Sequence, residues 1–210
     1  MKTILFQGDS ITDVDRVRDN DSHGGTFGFG YPLLISARLG FEQPDAFRFL
    51  NRGVSGNRVV DLYARIKRDC INLRPDVISI LIGVNDVWHE IGDQNGVAAD
   101  KYERIYSMLL DEILRELPQT RFLILEPFVT HGRATDGTWD SFSTQVPLRA
   151  AAAERVAQAF SQTFVPLQEA FDKAQTRAPA THWTADGVHP TPYGHELIAR
   201  EWLKAFETMN

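Results

Sequence analysis

The chain reads as an α/β fold built on a parallel sheet, and two observations carry that reading. Short apolar runs alternate with longer stretches of helical period, the order expected when strands are joined by crossover helices. The run at 77–82 is apolar nearly throughout, as a strand covered on both faces must be. Composition agrees, since 43% hydrophobic and 24% charged residues describe neither a disordered nor a fibrous chain. At 210 residues, one domain spanning 1–210 is expected, large enough to bury a core without disulfides.

Taken in order, the five strands fall at 3–6, 47–50, 77–82, 122–125 and 163–165. Helices fill the gaps at 31–39, 59–73, 100–117, 146–161, 167–174 and 193–207, each with apolar residues at spacings of three and four. Pro75 and Pro118 follow two of these helices and stop them before the next strand. Two segments are too long for simple α/β connections: 13–28, charged and Gly-rich, and 126–145, with Pro127, Gly132, Gly137 and Trp139. Both are expected at the carboxyl ends of strands, where open α/β sheets keep their ligand crevice.

Charge and leader composition exclude several functions. A net charge of −6 with no run of Lys or Arg offers no footprint for nucleic acid or an anionic membrane. The first residues, MKTILFQGDS, lack the apolar core of a secretory signal, and no stretch is long enough to span a bilayer. The chain as written is therefore expected to be soluble and cytoplasmic. Cys70, the one cysteine, forms no internal disulfide and reads as a small buried hydrophobe within the 59–73 helix.

The first strand runs into Gln7-Gly8-Asp9-Ser10-Ile11-Thr12-Asp13, so a serine follows a glycine turn at the mouth of the sheet. A reactive serine needs such a place, exposed to substrate and beside backbone N–H groups that can receive an oxyanion. Asp9 and Ser10 are also good helix caps, so this segment alone leaves both readings open. Ser55 is a rival in Gly53-Val54-Ser55-Gly56, but Asn57 stands where the nucleophile elbow wants its second glycine. Asp13 and Asp15 have the D-x-D spacing of a metal-dependent phosphatase, yet they lie too far beyond the strand end, and a solvated loop is the expectation.

Far along the chain, Trp183-Thr184-Ala185-Asp186-Gly187-Val188-His189-Pro190 places Asp and His three apart on a turn. The Asp186 carboxylate can accept from Nδ1 of His189 and leave Nε2 facing a hydroxyl. An Asp-Gly turn beside an unrelated histidine is the alternative. The third strand ends in Gly83-Val84-Asn85-Asp86, delivering a neutral amide donor suited to a developing oxyanion. The second ends before Gly53, where a backbone N–H can approach a ligand unhindered by a Cβ. A turn glycine is the alternative for Gly53, and a helix cap is the alternative for Asn85.

GDSITD at 8–13, RGVSGN at 52–57, GVND at 83–86 and DGVHP at 186–190 resemble, in order, the four blocks of the SGNH or GDSL hydrolase family. The resemblance implies a flavodoxin-like three-layer α/β/α sandwich and a serine esterase with Ser10 as nucleophile, completed by His189 and Asp186. It further implies an oxyanion hole of the Ser10 backbone N–H, Gly53 and Asn85, and no metal or cofactor. Ile11 stands where the GDSL name has Leu, a change of packing only.

The flanks resemble the branch of intracellular acetylxylan esterases: GDSITDVDRVR, the stretch Gly28-Phe29-Gly30-Tyr31, VSGNRVVDL and IGVNDVWHE. That likeness implies a small acetylated carbohydrate as substrate, and a homo-oligomer is plausible by the same route. Asp9, Trp88 and Trp183 are the expected substrate contacts, with Trp139 a further aromatic on a polar loop, because sugar rings pack on aromatic faces while hydroxyls reach polar groups; burial in the core is the alternative for each indole. Lipase, thioesterase or lysophospholipase activity is the alternative within the family. A carbohydrate-binding protein without catalysis is the alternative outside it.

Overall fold

The computed structural model describes residues 1–18 and 24–209. Among them, five parallel strands form one sheet: β1 (Lys2–Gly8), β2 (Phe47–Asn51), β3 (Val77–Leu81), β4 (Arg121–Leu125) and β5 (Thr163–Val165), in the order β2-β1-β3-β4-β5. This is the flavodoxin-like order. The chain leaves β1 toward β2 on one side and returns to β3 on the other, so the crevice of the sheet opens above the carboxyl ends of β1 and β3. Gly8 and Leu81 pair at those two ends.

Alternation along the strands feeds two cores. Ile4, Phe6, Leu123 and Leu125 face one side, while Leu5, Ile78, Ile80, Phe122 and Ile124 face the other. The first core is covered by α2 (Tyr31–Glu42) and α10 (Pro192–Glu207), and the second by α3 (Val59–Ala64) and α6 (Ala99–Glu116). The long α7 (Trp139–Ala159) lends Phe142 and Val146 to the first core and Ala152, Ala153 and Val156 to the second. Trp202 of α10 is fully buried and donates from Nε1 to Ser79 Oγ at 3.0 Å, which accounts for a hydroxyl inside the apolar strand β3.

Three sequence expectations need correction. The helix expected at 59–73 is broken at Arg65 between α3 and α4 (Ile66–Asp69), with a short 3₁₀ turn after it. Arg65 turns its guanidinium to Asn57 Oδ1 (2.8 Å), Arg52 O (2.8 Å) and Gly8 O (3.3 Å), so its backbone follows the loops instead of the helix. Cys70 consequently sits just beyond α4; it is buried, and desolvation pushes its thiol up to about 12.

The helix expected at 146–161 begins at Trp139, and it carries Pro147 in its interior. Pro147 is on the exposed side, where solvent can meet the carbonyl it leaves without a donor. Not among the expected helices are α5 (Val84–Asp93) and the one-turn α9 (Ala180–Trp183), while α1 (Ser10–Asp13) is the helix turn that the capping reading of Asp9 implies. Segment 168–175 is α8 (Gln168–Gln175), close to expectation. Among the described residues no helix is long and apolar enough to cross a membrane.

Candidate active site

Ser10 is the first residue of α1, immediately beyond β1. Asp9 caps that turn, its Oδ1 accepting from Ile11 N at 3.0 Å. The cap leaves the Ser10 N–H without a protein acceptor among the described residues, at the free end of a helix turn.

The loop after α9 closes on itself through the bridge between Thr184 and Pro190, and it is braced from behind by the 126–138 segment. Thr130 N donates to Gly187 O and Ala134 N to Asp186 O, each at 2.9 Å. Thus the segment expected to be a long, functional loop serves as a backing for this one. Within it, Asp186 Oδ1 accepts from Val188 N (3.0 Å) and His189 N (2.8 Å), and Oδ2 meets His189 Nδ1 at 2.8 Å. Burial would raise the Asp186 carboxyl. The His189 and Val188 bonds outweigh it and hold the group below the usual carboxylate range.

An ionised Asp186 assigns the proton to Nδ1, leaving the Nε2 lone pair for the 2.9 Å contact with Ser10 Oγ. The arrangement can draw a proton from the serine and stabilise the imidazolium that results.

The donors around Ser10 differ in part from expectation. Asn85, in the first turn of α5, is 6% exposed and spends one Nδ2 hydrogen on Asn57 O (3.2 Å), leaving a second. Gly53 does not have a free N–H: it donates to Asn51 Oδ1 at 2.8 Å in a buried setting. A Cβ there would meet Asp13 N at 2.4 Å, so glycine is required by close packing against α1. Gly56, three residues on, has φ +81°, open space around it and no acceptor for its N–H among the described residues. Sequence reasoning did not single it out as a donor. A Gly-Asn pair at a loop tip is a turn signal for positive φ, and that signal was available.

Trp88 lies beside the relay, its ring 5.8 Å from that of His189 and backed by Phe142. Asp9 and Trp183 do not offer the substrate surfaces expected of them. Asp9 is 1% exposed beneath Ser10, and burial pushes its carboxyl up to about 7. Trp183 is 8% exposed in the first core, with its indole N–H donating to Ala178 O and Arg177 over its ring. Trp139 stacks on His131 at 3.8 Å at the start of α7.

Both rivals of Ser10 also find structural places. Ser55 Oγ donates to Asp13 Oδ2 at 3.1 Å and has no histidine among its hydrogen-bond partners in the described residues, and Asp13 is 3% exposed, not solvated as expected. Of the segment 13–28, residues 19–23 lie outside the described residues. No group of three or more His, Cys, Asp or Glu placed to hold a metal ion occurs among the described residues.

A three-layer sandwich with a Ser–His–Asp relay over the switch point of its sheet defines a serine hydrolase, and comparison with known proteins makes the class specific. The chain belongs to the GDSL-like lipase/acylhydrolase family, whose model matches residues 6–197. It is 35% identical over 213 residues to an acetylxylan esterase of Geobacillus stearothermophilus, covering 96% of this chain and 92% of that one. A crystal structure of an acetylxylan esterase from that organism superposes with a TM-score of 0.86 at 31% identity, covering 97% and 93% of the two chains. A candidate GDSL-like lipase from Parabacteroides merdae superposes with a TM-score of 0.92 at 37% identity, covering 98% and 95%.

Proposed function

We propose that this esterase removes O-acetyl groups from carbohydrates such as acetylated xylo-oligosaccharides, through an acyl-enzyme on Ser10. The observation that carries the reading is the continuous relay from Ser10 Oγ through His189 to Asp186. Ser10 Oγ attacks the acetyl carbonyl while its proton passes to His189 Nε2. The oxyanion is met by the Ser10 N–H, the Gly56 N–H and the free hydrogen of Asn85 Nδ2, with Gly56 replacing Gly53 in this role. Collapse of the tetrahedral adduct returns the proton from His189 to the departing sugar oxygen. Water then repeats the cycle and releases acetate.

The choice of acetyl and of sugar has two supports. The Geobacillus relative is an acetylxylan esterase, and forms of it with a serine or an aspartate replaced by alanine are described as catalytic mutants. Trp88, half-buried beside His189, gives a sugar ring an aromatic face at the rim of the relay.

Acetate release compared across acetylated xylo-oligosaccharides, acetylated pectin fragments, acetylated amino sugars and a lysophospholipid tests the substrate. The highest kcat/KM is expected on the xylo-oligosaccharides. A clear preference for the lysophospholipid, or for long acyl chains in a p-nitrophenyl ester series, would overturn the acetyl-carbohydrate reading while leaving the esterase intact.

A further inference from the structure

We propose that Asp13 is a positioning residue of the oxyanion hole, holding the Gly56 N–H in fixed relation to the Ser10 N–H by capturing Ser55 with its carboxylate. The inference rests on the acyl-transfer reading above and explains two residues, Asp13 and Ser55, that the reaction itself does not use.

Asp13 and Ser10 are the two ends of one helical turn, fixed to each other by Asp13 N donating to Asp9 O (2.8 Å) and Val14 N to Ser10 O (3.0 Å). From that turn the Asp13 Oδ2 reaches across to the 53–57 loop, where it accepts both Ser55 N at 3.0 Å and Ser55 Oγ at 3.1 Å. Two donors from one residue onto one oxygen fix the position and the rotation of the peptide that leads into Gly56. On its other side, Gly56 is followed by Asn57, whose carbonyl accepts from Asn85 Nδ2 at 3.2 Å. Gly56 is therefore bracketed between Asp13 and Asn85. The turn itself is closed by Asn57 N donating to Val54 O at 3.1 Å, so the capture of Ser55 by Asp13 sets where that turn, with Gly56 at φ +81°, sits relative to α1.

Charge is managed as well. An isolated carboxylate near a developing oxyanion would oppose it. Here Arg18 Nη2 lies 2.8 Å from Asp13 Oδ2, and Arg16 Nε lies 3.7 Å from Oδ1 while donating to Gly53 O at 2.8 Å. The two guanidiniums offset the carboxylate, and Arg16 ties a second point of the same loop. Asn51 adds a third tie, from Nδ2 to Thr12 O at 2.6 Å.

The test is steady-state hydrolysis of p-nitrophenyl acetate by Ser55→Ala, Asp13→Asn, Asp13→Ala and the Ser55→Ala/Asp13→Ala double variant, with Ser10→Ala alongside. Removing one oxyanion donor lowers kcat by about 100- to 1000-fold and misplacing one costs less, so Asp13→Ala is expected to lose about 10- to 100-fold in kcat with KM within about twofold. Ser55→Ala keeps its N–H bond and should lose less, about threefold. Asp13→Asn, whose carbonyl still accepts from Ser55, should recover part of the loss. Because both residues act through one contact, Ser55→Ala should cost nothing further in the Asp13→Ala background.

If Asp13→Ala does not fold, Ser55→Ala and Asp13→Asn decide. Folded forms of these two with kcat within about twofold of the parent, or with the loss carried in KM, overturn the proposal. The control separates the two levels: an active Ser10→Ala defeats the acyl-transfer reading, whereas an inactive Ser10→Ala beside unimpaired Asp13 and Ser55 variants defeats the clamp alone.

Discussion

Ser10 Oγ and His189 Nε2 stand 2.9 Å apart although 179 positions separate them in the chain. Two one-turn structures at the same rim achieve this: a capped helical turn after β1, and a bridged loop held down by the segment after β4. The relay is therefore a product of the whole fold.

Asp186→Asn tests the orienting end of the relay. The amide can still accept from Val188 N and His189 N, so the turn should survive. It cannot supply the charge that fixes the proton on Nδ1, and kcat on p-nitrophenyl acetate is expected to fall by about 100-fold or more with little change in KM. Steady-state kinetics together with an unchanged circular dichroism spectrum would check it.

Asp9 carries a stability signature. Burial is the chief cause of its raised pKa, so the unfolded chain ionises from about 3.8 while the folded chain keeps the proton to about 7. Its contribution to stability is present below 3.8 and lost as pH rises through about 7. Asp9→Asn removes that dependence. Relative to the parent, its Tm should improve between about pH 4 and about pH 8, by an amount worth at most about 4 kcal/mol. A difference independent of pH would count against a protonated Asp9.

His195 has the opposite sign. It is 4% exposed, its Nδ1 accepts from Tyr31 N at 3.2 Å, and burial, then the charge of His189, lower it from 6.5 to about 4. Stability from this group is present above 6.5 and lost as pH falls through about 4. His195→Asn should therefore flatten the acid side of a Tm series. Because Asp9 and His195 oppose each other over overlapping windows, single variants are needed to see either.

The two loop glycines should respond differently. Gly53→Ala drives a Cβ to 2.4 Å from Asp13 N and 2.7 Å from Thr12 C, both backbone, and is expected to lower stability by about 2 kcal/mol or more. Gly56→Ala meets nothing but carries a residue at φ +81°, costing about 1 kcal/mol. Relief of that strain turns the peptide assigned to the oxyanion, so this variant should lose kcat while remaining folded. Thermal melts and kinetics on the pair distinguish a packing glycine from a donor.

Much of this architecture was legible in the residues. Strand runs such as 122–125 are nearly the observed Arg121–Leu125, because a doubly covered strand must be apolar along its length. Strand ends and an Asp-Gly turn make Ser10, Asn85, Asp186 and His189 candidates, and the four ordered blocks that resemble the SGNH family join them; the structure brings Ser10, His189 and Asp186 into one relay. What stayed hidden depends on partners. Sequence names Gly53 and Gly56 alike, but only geometry shows that Asn51 already holds the Gly53 N–H. Burial likewise separates Trp88 at the rim from Trp183 in the core. The helix α5 is harder to read: Val84, Val87, Trp88 and Ile91 carry its period, but it spans only 10 residues and opens on the polar pair Asn85-Asp86.

The acyl-enzyme itself is the most direct test. Rapid acid quench of the enzyme turning over p-nitrophenyl acetate, followed by intact mass and peptide mapping, should reveal one added acetyl group on Ser10, absent in Ser10→Ala. An acetyl group mapped to another nucleophile, or undiminished turnover by Ser10→Ala, would contradict it.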